Sequence, residues 1–256
     1  MLTAAQESAA QFLLAARQSG RTGPRIDEAA RPTDVADAIA VQRRVTDLLG
    51  MTVGGWKCSV PTAARSIIAA PVFTPTIQHR SPCTLRVTGT VARIEPEIAY
   101  VLARDLPART QPYADSEVRA AVGSVHMALE LIGPRYAEPT TVTYPELLAD
   151  FIANQGLFVG PAVDAPWDRA LEGFPIAVHA GGVLLTSVDG KHPDGHPFKP
   201  LVWLANYLAT RGDHLRAGQV VTTGSYAGII DVPLDSPLTF AYGDFGQLAV
   251  TLQRAG

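Results

Sequence analysis

Two glutamates, Glu95 and Glu97, are separated by one residue within the largely apolar run RIEPEIAY, which begins at residue 93. In a strand, successive side chains point to opposite faces, so both carboxylates would lie on the same side of a sheet. The alternate positions of the run are apolar and are predicted to enter a core: Ile94, Pro96, Ile98 and Tyr100. The pattern therefore predicts a strand with a buried face and a pair of acidic groups on the other face.

A third glutamate, Glu130, lies in a second apolar segment, ALELI, at residues 128 to 132. Three carboxylates in apolar surroundings do not all stay ionised unless a positive charge neutralises them. A hard divalent cation would do so, and carboxylate oxygens suit Mg²⁺, Mn²⁺ or Ca²⁺ better than Zn²⁺. In the alternative interpretation, Glu95 and Glu97 are solvated on the wet face of a strand, and Glu130 is paired with an arginine. The spacing alone leaves both interpretations open.

The composition is that of a globular protein, with 256 residues of which 47% are hydrophobic and 18% are charged. A formal net charge of −3, without a long Lys/Arg run, argues against a nucleic-acid partner. The two cysteines, Cys58 and Cys83, have no metal-ligand spacing, and this usage predicts a reducing cytoplasm. We expect no signal peptide and no membrane partner, because no apolar run approaches the roughly 20 residues of a membrane span.

The first 52 residues predict a helical region. One helix begins at the N-cap residue Thr3, with Gln6 three positions later, and ends at Gly20. A second helix runs from Thr33 to Gly50 and carries a mostly helical apolar stripe. Residues 53–256 change to short strand-type runs punctuated by Pro and Gly. We therefore expect residues 1–52 to form a helical region and residues 53–256 a β-rich catalytic core, within a single structural unit.

Strand-type runs dominate this core. The predicted strands are Val53–Val60, Thr84–Val87, Thr90–Ala103, Leu129–Ile132, Ile176–His179, Val183–Ser187, Val220–Thr223, Leu238–Tyr242 and Leu248–Leu252. The predicted helices between them are Ser116–Val125, Pro145–Gly156 and Pro200–Gly212. Because strands and helices do not alternate regularly, a parallel Rossmann sheet is disfavoured and the pattern predicts an α+β protein.

Two short segments could act on an anionic substrate. Lys57 lies between Trp56 and Cys58, where a lysine either extends to solvent or is held near an anion. Beside a metal-bound oxo acid, its ammonium group could stabilise an enolate or relay a proton. The turn at Gly224 and Ser225 follows an apolar strand. It could present N–H groups and a hydroxyl to a carboxylate, or it could be an ordinary strand exit.

Other polar positions give weaker signals. The loop from Asp189 to Pro197 contains Lys191, His192 and His196 among prolines and glycines that exclude a helix. We expect a mobile loop, either a lid in which Lys191 and His192 bind substrate or a surface connection without that role.

Three further polar residues lie on or near predicted helices. Asp150 and Asn154 are four residues apart on one of them and would share a face. His126 follows another predicted helix, and we expect it to be a structural histidine rather than a base.

The order of several short motifs resembles that of the 2-keto-4-pentenoate hydratases. This family lies in the fumarylacetoacetate hydrolase superfamily and is close to the 4-oxalocrotonate decarboxylases. The motifs are GWK at 55–57, the glutamates at 95 and 97, ALE at 128–130, GLFVG at 156–160, WLAN at 203–206 and AGQVVTTGS at 217–225. The resemblance extends from about the second helix to near residue 230. No motif is specific alone, but their combination is.

The resemblance implies roles for individual residues. Glu95, Glu97 and Glu130 would bind Mg²⁺ or Mn²⁺. Lys57 would lie beside the substrate, and Asp150 would match an acidic residue that opens a family motif. We therefore expect Lys57 and Asp150 to be catalytic, and Gly224 and Ser225 to hold the substrate carboxylate. The fold implied is a β-rich roll of mixed sheets with an N-terminal helical region, assembled into a homo-oligomer.

The chain also departs from the family pattern in three places. Phe151 stands where relatives usually have Asn, and the loop from Lys191 to His196 replaces a small Gly/Ala-rich stretch. Gln78 and His79 align with a position after the lysine motif where many relatives have an acidic residue.

The function implied is a lyase that acts on a 2-oxo acid or its dienol. The substrate carboxylate and keto oxygens would fill open positions of the metal, which would act as a Lewis acid toward an enolate. A hydratase would act on 2-hydroxypenta-2,4-dienoate, whereas a decarboxylase would act on 4-oxalocrotonate with the same chelate. Two alternatives remain, a hydrolase of acylpyruvates or related diketones and a non-catalytic protein that binds oxo acids.

Overall fold

The computed structural model describes residues 2–63 and 66–255. The helices are α1 Ala4–Ser19, α2 Val35–Leu49, α3 Asp115–Ala121, α4 Tyr144–Ala149 and α5 Phe198–Ala209. The strands are β1 Val53–Ser59, β2 Ile68–Phe73, β3 Ile77–Gln78, β4 Cys83–Leu85, β5 Val91–Leu102, β6 Val122–Ile132, β7 Asn154–Ala162, β8 Gly173–Ala180, β9 Val183–Lys191, β10 Val220–Thr222, β11 Ile230–Pro233, β12 Pro237–Tyr242 and β13 Gln247–Arg254.

The strands form two sheets. The eight-stranded sheet has the order β2-β1-β10-β5-β6-β7-β3, with β11 pairing with β5, and the five-stranded sheet has the order β4-β13-β12-β8-β9. Parallel pairs such as β1 with β10 occur beside antiparallel pairs such as β5 with β6. These mixed sheets with interspersed helices confirm the predicted α+β class. Among the described helices, none combines the length and the apolar character that crossing a membrane would require.

The two N-terminal helices form as the sequence predicts. Thr3 and Gln6 make the reciprocal capping box of α1, and Gly20 ends that helix with a φ of 67°, which a side chain would disfavour. Asp34, rather than Thr33, caps α2 through its side chain. A separate apolar cluster packs α1 and α2 against α4, Phe73 and Phe151. The helical region therefore shares buried surface with elements of the β-rich part.

The long antiparallel pair β5–β6 places the acidic residues. In its register Glu95 lies opposite Glu130, and Glu97 lies opposite Ala128. The alternate residues Ile94, Ile98 and Tyr100 are fully buried, as the alternation predicts. The sequence alone does not predict this register, because the pattern of each strand does not say which residue of β6 lies opposite which residue of β5.

Two predicted helices are wrong in extent. The helix predicted over Ser116–Val125 ends at Ala121, and the chain continues directly into β6. His126 therefore lies in a strand rather than after a helix, and its Nδ1 lies 2.9 Å from the carbonyl oxygen of Gly160. The β-branched residues of this segment pair with β5, because tertiary pairing outweighs a local helical preference.

The helix predicted over Pro145–Gly156 ends at Ala149. The next residues form a left-handed turn, with φ values of 59° at Phe151, 52° at Ile152 and 58° at Ala153. Asn154 then begins β7, although the sequence pattern predicts a helix up to Gly156. Asp150 and Asn154 consequently do not share a helix face. Three successive non-glycine residues with left-handed backbone conformation cost conformational energy, which the surrounding contacts must offset.

The segment from Asp189 to Pro197 is more ordered than predicted. Strand β9 continues to Lys191, so the first three residues of the expected loop pair with β8. Only the turn from His192 to Pro197 connects β9 to α5, which begins at Phe198.

Four of the observed strands were not predicted from the sequence: β2, β3, β7 and β11.

Candidate active site

Glu95, Glu97 and Glu130 converge at the centre of the eight-stranded sheet. One carboxylate oxygen from each residue lies within 4.8 Å of the others. Glu97 is 2% exposed and Glu130 is fully buried, whereas Glu95 is half-buried at the open side. The strand pair β5–β6 supplies all three side chains, so their separation is fixed by the pairing of the two strands.

Burial and mutual repulsion change the protonation of the cluster. Burial, together with the charge of Glu130, raises the pKa of Glu95 to about 7. Burial raises the pKa of Glu97 well above its usual range, and the charges of Glu130 and Glu95 add to this rise. Three acids held this closely favour a positive charge among them.

Lys57 supplies one such charge from strand β1, which β10 separates from β5 in the same sheet. Its Nζ lies 2.5 Å from Oε1 of Glu130 and 3.4 Å from the carbonyl oxygen of Ile152. Burial alone would lower the pKa of Lys57, but the charges of Glu130 and Glu95 outweigh burial and raise it. Lys57 is therefore an ammonium ion beside the glutamates and not a side chain that extends to solvent.

One lysine does not satisfy three carboxylates. Asn154 Nδ2 donates to the same Oε1 of Glu130 at 2.9 Å. The other oxygen, Oε2, is buried and has no hydrogen-bond partner among the described residues. An unpartnered carboxylate oxygen in a cluster of three acids matches the donor set of a hard divalent cation. The residues present therefore fit such an ion.

The turn after β10 contacts the cluster through its backbone. The N–H of Gly224 donates to Oε2 of Glu97 at 2.9 Å, and Gly224 has a φ of 127°. A Cβ at this position would approach Pro193 Cγ to 2.9 Å, so only glycine fits. The hydroxyl of Ser225 lies 3.1 Å from the carbonyl oxygen of Gly228 and 3.3 Å from that of Pro96.

Lys191, the last residue of β9, and His192, which follows it, lie in different environments. Lys191 is exposed, and its nearest acidic partner is Asp189 at 3.8 Å. His192 is only 4% exposed, and its Nε2 lies 3.5 Å from the hydroxyl of Thr223, beside Gly224. His192 Nδ1 accepts from the N–H of Asp194, so a neutral ring carries its hydrogen on Nε2.

Asp194 fixes this turn to the end of β1. Its Oδ2 accepts from the hydroxyl of Ser59 at 2.9 Å and from the N–H of Val60 at 3.0 Å. The turn is thus bonded to the strand that carries Lys57. No sequence motif linked Ser59 to Asp194, which are far apart in the chain.

Asp150 is fully buried, and its side chain is bonded to arginines rather than to the glutamate cluster. Arg135 Nε lies 2.5 Å from Oδ1 of Asp150, and Arg17 lies 3.4 Å from the same oxygen. Arg135 also donates to the carbonyl oxygens of Asp150 and Asn154, at 2.8 and 2.9 Å. These bonds hold the left-handed turn whose Ile152 contacts Lys57 and whose end, Asn154, contacts Glu130.

Sequence reasoning missed Arg135. It follows a Gly-Pro pair and gave no sign that it would be 7% exposed and paired with Asp150. A single arginine carries no periodic signal of burial, so only the folded contacts reveal its role.

Comparisons with known proteins show what the whole chain is similar to. No protein-family model matches the chain. A curated 2-keto-4-pentenoate hydratase from Paraburkholderia xenovorans (strain LB400) is 29% identical over 252 residues, covering 89% of this chain and 87% of the relative.

Two solved structures share the fold. A 4-oxalocrotonate decarboxylase from Pseudomonas putida G7, complexed with calcium and acetate, superposes with a TM-score of 0.79 at 20% identity, covering 98% of this chain and 99% of that one. A fumarylacetoacetate hydrolase family protein from Yersinia pestis CO92 gives a TM-score of 0.54 at 15% identity, covering 79% of this chain and 93% of that one.

The hydratase-named homologue spans most of the chain and supports a hydro-lyase. The solved neighbours have a fumarylacetoacetate-hydrolase-type fold, and two of them hold calcium or magnesium. The chain therefore has the fumarylacetoacetate-hydrolase-type fold and is homologous to the 2-keto-4-pentenoate hydratases, as the order of its motifs predicted.

Proposed function

We propose that the protein is a Mg²⁺-dependent hydro-lyase that hydrates 2-hydroxypenta-2,4-dienoate to 4-hydroxy-2-oxopentanoate. The observation that carries the proposal is the convergence of Glu95, Glu97 and Glu130 beside the ammonium group of Lys57. The three glutamates would hold Mg²⁺, or Mn²⁺, through oxygen ligands. A bound ion would supply Lewis-acid chemistry toward a 2-oxo acid.

Lys57 is the group that we assign to proton transfer. The reaction moves the proton of the substrate 2-hydroxyl to C5, and then adds a water hydroxyl at C4 and a proton at C3. Lys57 Nζ carries a proton in this site because its pKa is raised. It contacts Glu130, one of the three glutamates of the cluster. A relay through Nζ accounts for the proton without a further acid.

The turn at Gly224 and Ser225 would position the substrate carboxylate. In this structure the N–H of Gly224 donates to Glu97. It would be available to a substrate carboxylate if Glu97 instead held the cation. His192, buried beside this turn, presents Nε2 on the same side and is the second candidate contact for substrate.

A decarboxylase is the second candidate, because the 4-oxalocrotonate decarboxylase shares the fold over nearly the whole chain. The same cluster would then stabilise the electrons left by departing CO₂. A panel of substrates separates these functions. The purified protein is incubated with Mg²⁺ and, in separate reactions, with 2-hydroxypenta-2,4-dienoate, 4-oxalocrotonate and acetylpyruvate.

We expect hydration of the dienoate, its loss with a chelator and its return on adding Mg²⁺. Release of CO₂ from 4-oxalocrotonate without hydration would assign the decarboxylase, and cleavage of acetylpyruvate would assign the hydrolase. Turnover of none of the three would assign a binding protein. Calorimetric titration of Mg²⁺ into wild-type and Glu130→Gln protein tests the cation site independently, because the variant should bind the ion far more weakly.

We further infer a homo-oligomer in the cytoplasm. The oligomer is supported by the edge strand β9, which exposes Val183, Leu184, Leu185 and Val188. The location is supported by the two cysteines, Cys58 and Cys83, which are buried and unpaired. An aromatic-degradation pathway would be the natural source of a 2-hydroxydienoate.

A further inference from the structure

A cavity of about 720 Å³ lies apart from the glutamate cluster. It opens between the end of α1, the start of β5 and the connection between β6 and α4. Five arginines line it: Arg17, Arg21, Arg86, Arg93 and Arg135. No aspartate or glutamate is among the described residues on its wall, and neither Lys57 nor any glutamate of the cluster contributes to it. Its volume is typical of a small-molecule site.

The floor of the cavity has an uncompensated buried charge. Arg17 and Arg135 share one carboxylate, that of Asp150. Arg17 Nε is buried without a hydrogen-bond partner among the described residues. Burial, and then the charge of Arg135, lower the pKa of Arg17 to about 9. Because buried charges are normally paired, this floor favours an additional anion.

The rim adds two exposed arginines. Arg21 is exposed, and its guanidinium has no ion-pair partner in the described part of the chain. Arg86 is also exposed, and its guanidinium donates to the carbonyl oxygen of Arg17 and to no carboxylate in that part of the chain. Arg93, by contrast, is paired with Asp231 at 3.2 Å. Four arginines therefore face the cavity with one carboxylate among them.

The rest of the wall combines apolar side chains with threonines and glutamines. Leu49, Met51, Phe73 and Val91 line it, and Met51 and Val91 are 42% and 40% exposed. Exposed apolar side chains beside unpaired guanidinium groups match a ligand with an anionic head and an apolar body.

We propose that this arginine-lined cavity is a second binding site, which takes a small organic anion with a phosphate or carboxylate head group. Arg17, Arg21 and Arg86 would bind the head group, and the apolar wall would contact the body of the ligand. The site does not depend on the hydratase assignment, because it shares no residue with the glutamate cluster.

The test is calorimetric titration of phenyl phosphate and of inorganic phosphate into the Mg²⁺-loaded protein. We expect saturable binding, tighter for phenyl phosphate because of the apolar wall. Arg21→Ala combined with Arg86→Ala should weaken it by about tenfold or more, the scale of lost charge-assisted hydrogen bonds. The single variant Arg21→Ala removes an exposed side chain without an ion-pair partner, so folding is not at risk.

The matched control is Arg43→Ala combined with Arg104→Ala, which removes two exposed arginines outside the cavity. Its affinity should equal that of wild type, as should that of Lys57→Ala. Absence of saturable binding, or equal loss in the control pair, would overturn the proposal. Loss in Lys57→Ala with retention in the Arg21 variants would place the anion in the glutamate site and would also overturn it.

Discussion

Lys57 Nζ lies 2.5 Å from Oε1 of Glu130, on strands separated by two others in the same sheet. The ammonium group therefore occupies one side of the acidic cluster. It contacts one oxygen of Glu130, whereas Oε2 of that residue has no hydrogen-bond partner among the described residues. Under the proposed function, Lys57 would serve proton transfer and the three glutamates would hold the cation.

Replacing Lys57 with methionine should separate these functions experimentally. We expect kcat for the dienoate to fall about 100-fold, the scale of a lost acid–base group. Mg²⁺ affinity should stay the same or become tighter, because a competing positive charge is removed from Glu130. Steady-state kinetics and calorimetry measure the two effects. Wild-type turnover in Lys57→Met would remove the lysine from the reaction.

The sequence alone predicts the residues of the cluster but not their contacts. Alternation along one strand was enough to place Glu95 and Glu97 on the same side, because the period of a strand is local. The contact between Glu130 and Lys57 depends on sheet order, with β10 and β5 between β1 and β6. Sheet order is set by long-range packing, which no spacing in the chain encodes.

The turn after β9 allows a comparison of two neighbouring residues. His192 is buried beside Thr223 and Gly224, whereas Lys191 extends into solvent. We expect Lys191→Ala to leave kcat/KM near wild type for a short and for a dicarboxylate substrate. His192→Ala should lower both values about tenfold or more, through lost contact with substrate. A larger loss from Lys191→Ala would instead support the lid, one of the two alternatives that the sequence leaves open.

Asp150 should act through its arginines rather than on the substrate. Asp150→Asn would leave Arg17 and Arg135 buried without a carboxylate, so the free energy of unfolding should fall by about 3 kcal/mol or more. Chemical denaturation measures this loss. The double variant Asp150→Asn/Arg135→Met should recover part of it, because one of the two unpaired charges is removed.

A direct catalytic role for Asp150 would give a different result. Asp150→Asn would then keep wild-type stability and Mg²⁺ affinity while losing turnover. The resemblance to the hydratases is what suggested that role. The separate expectation that Asp150 and Asn154 share a helix face is wrong, because the helix ends at Ala149. Phe151 instead packs against Phe73 and beneath Arg17, so its side chain belongs to the apolar cluster around α1 and α2.

Glu146 does not belong to the glutamate cluster, but it should make the stability of the protein depend on pH. It is fully buried and bonded to Arg25 and to the N–H of Thr143. Burial alone would raise the pKa of Glu146, but these hydrogen bonds outweigh it and lower the pKa below its ordinary value of 4.5. The folded state then binds fewer protons than the unfolded state in this range, so the stabilisation is present above pH 4.5 and lost below it.

Glu146→Gln tests this dependence. We expect it to lower the free energy of unfolding by about 2 kcal/mol at pH 7, where the carboxylate is ionised. The difference from wild type should shrink as the pH falls below 4.5 and the wild-type carboxylate becomes protonated. Urea denaturation of both proteins across this range measures it. A difference that stays constant with pH would assign the effect to packing rather than to charge.

Strand β9 should carry the contact between copies of the chain. It is the last strand of the five-stranded sheet, so one of its edges is unpaired within the described chain. It also exposes large apolar side chains, with Val183 at 68%, Leu184 at 54% and Val188 at 37%. An edge strand of this kind associates with other chains unless charge or cover prevents it.

Light scattering after size exclusion tests this contact. We expect the wild-type protein to be an oligomer and Leu184→Lys/Val188→Lys to form smaller species. Ile229→Lys, which changes a side chain 45% exposed elsewhere on the surface, is the matched control and should keep the wild-type mass. A monomeric wild-type protein, or equal dissociation in both variants, would show that β9 is not the interface.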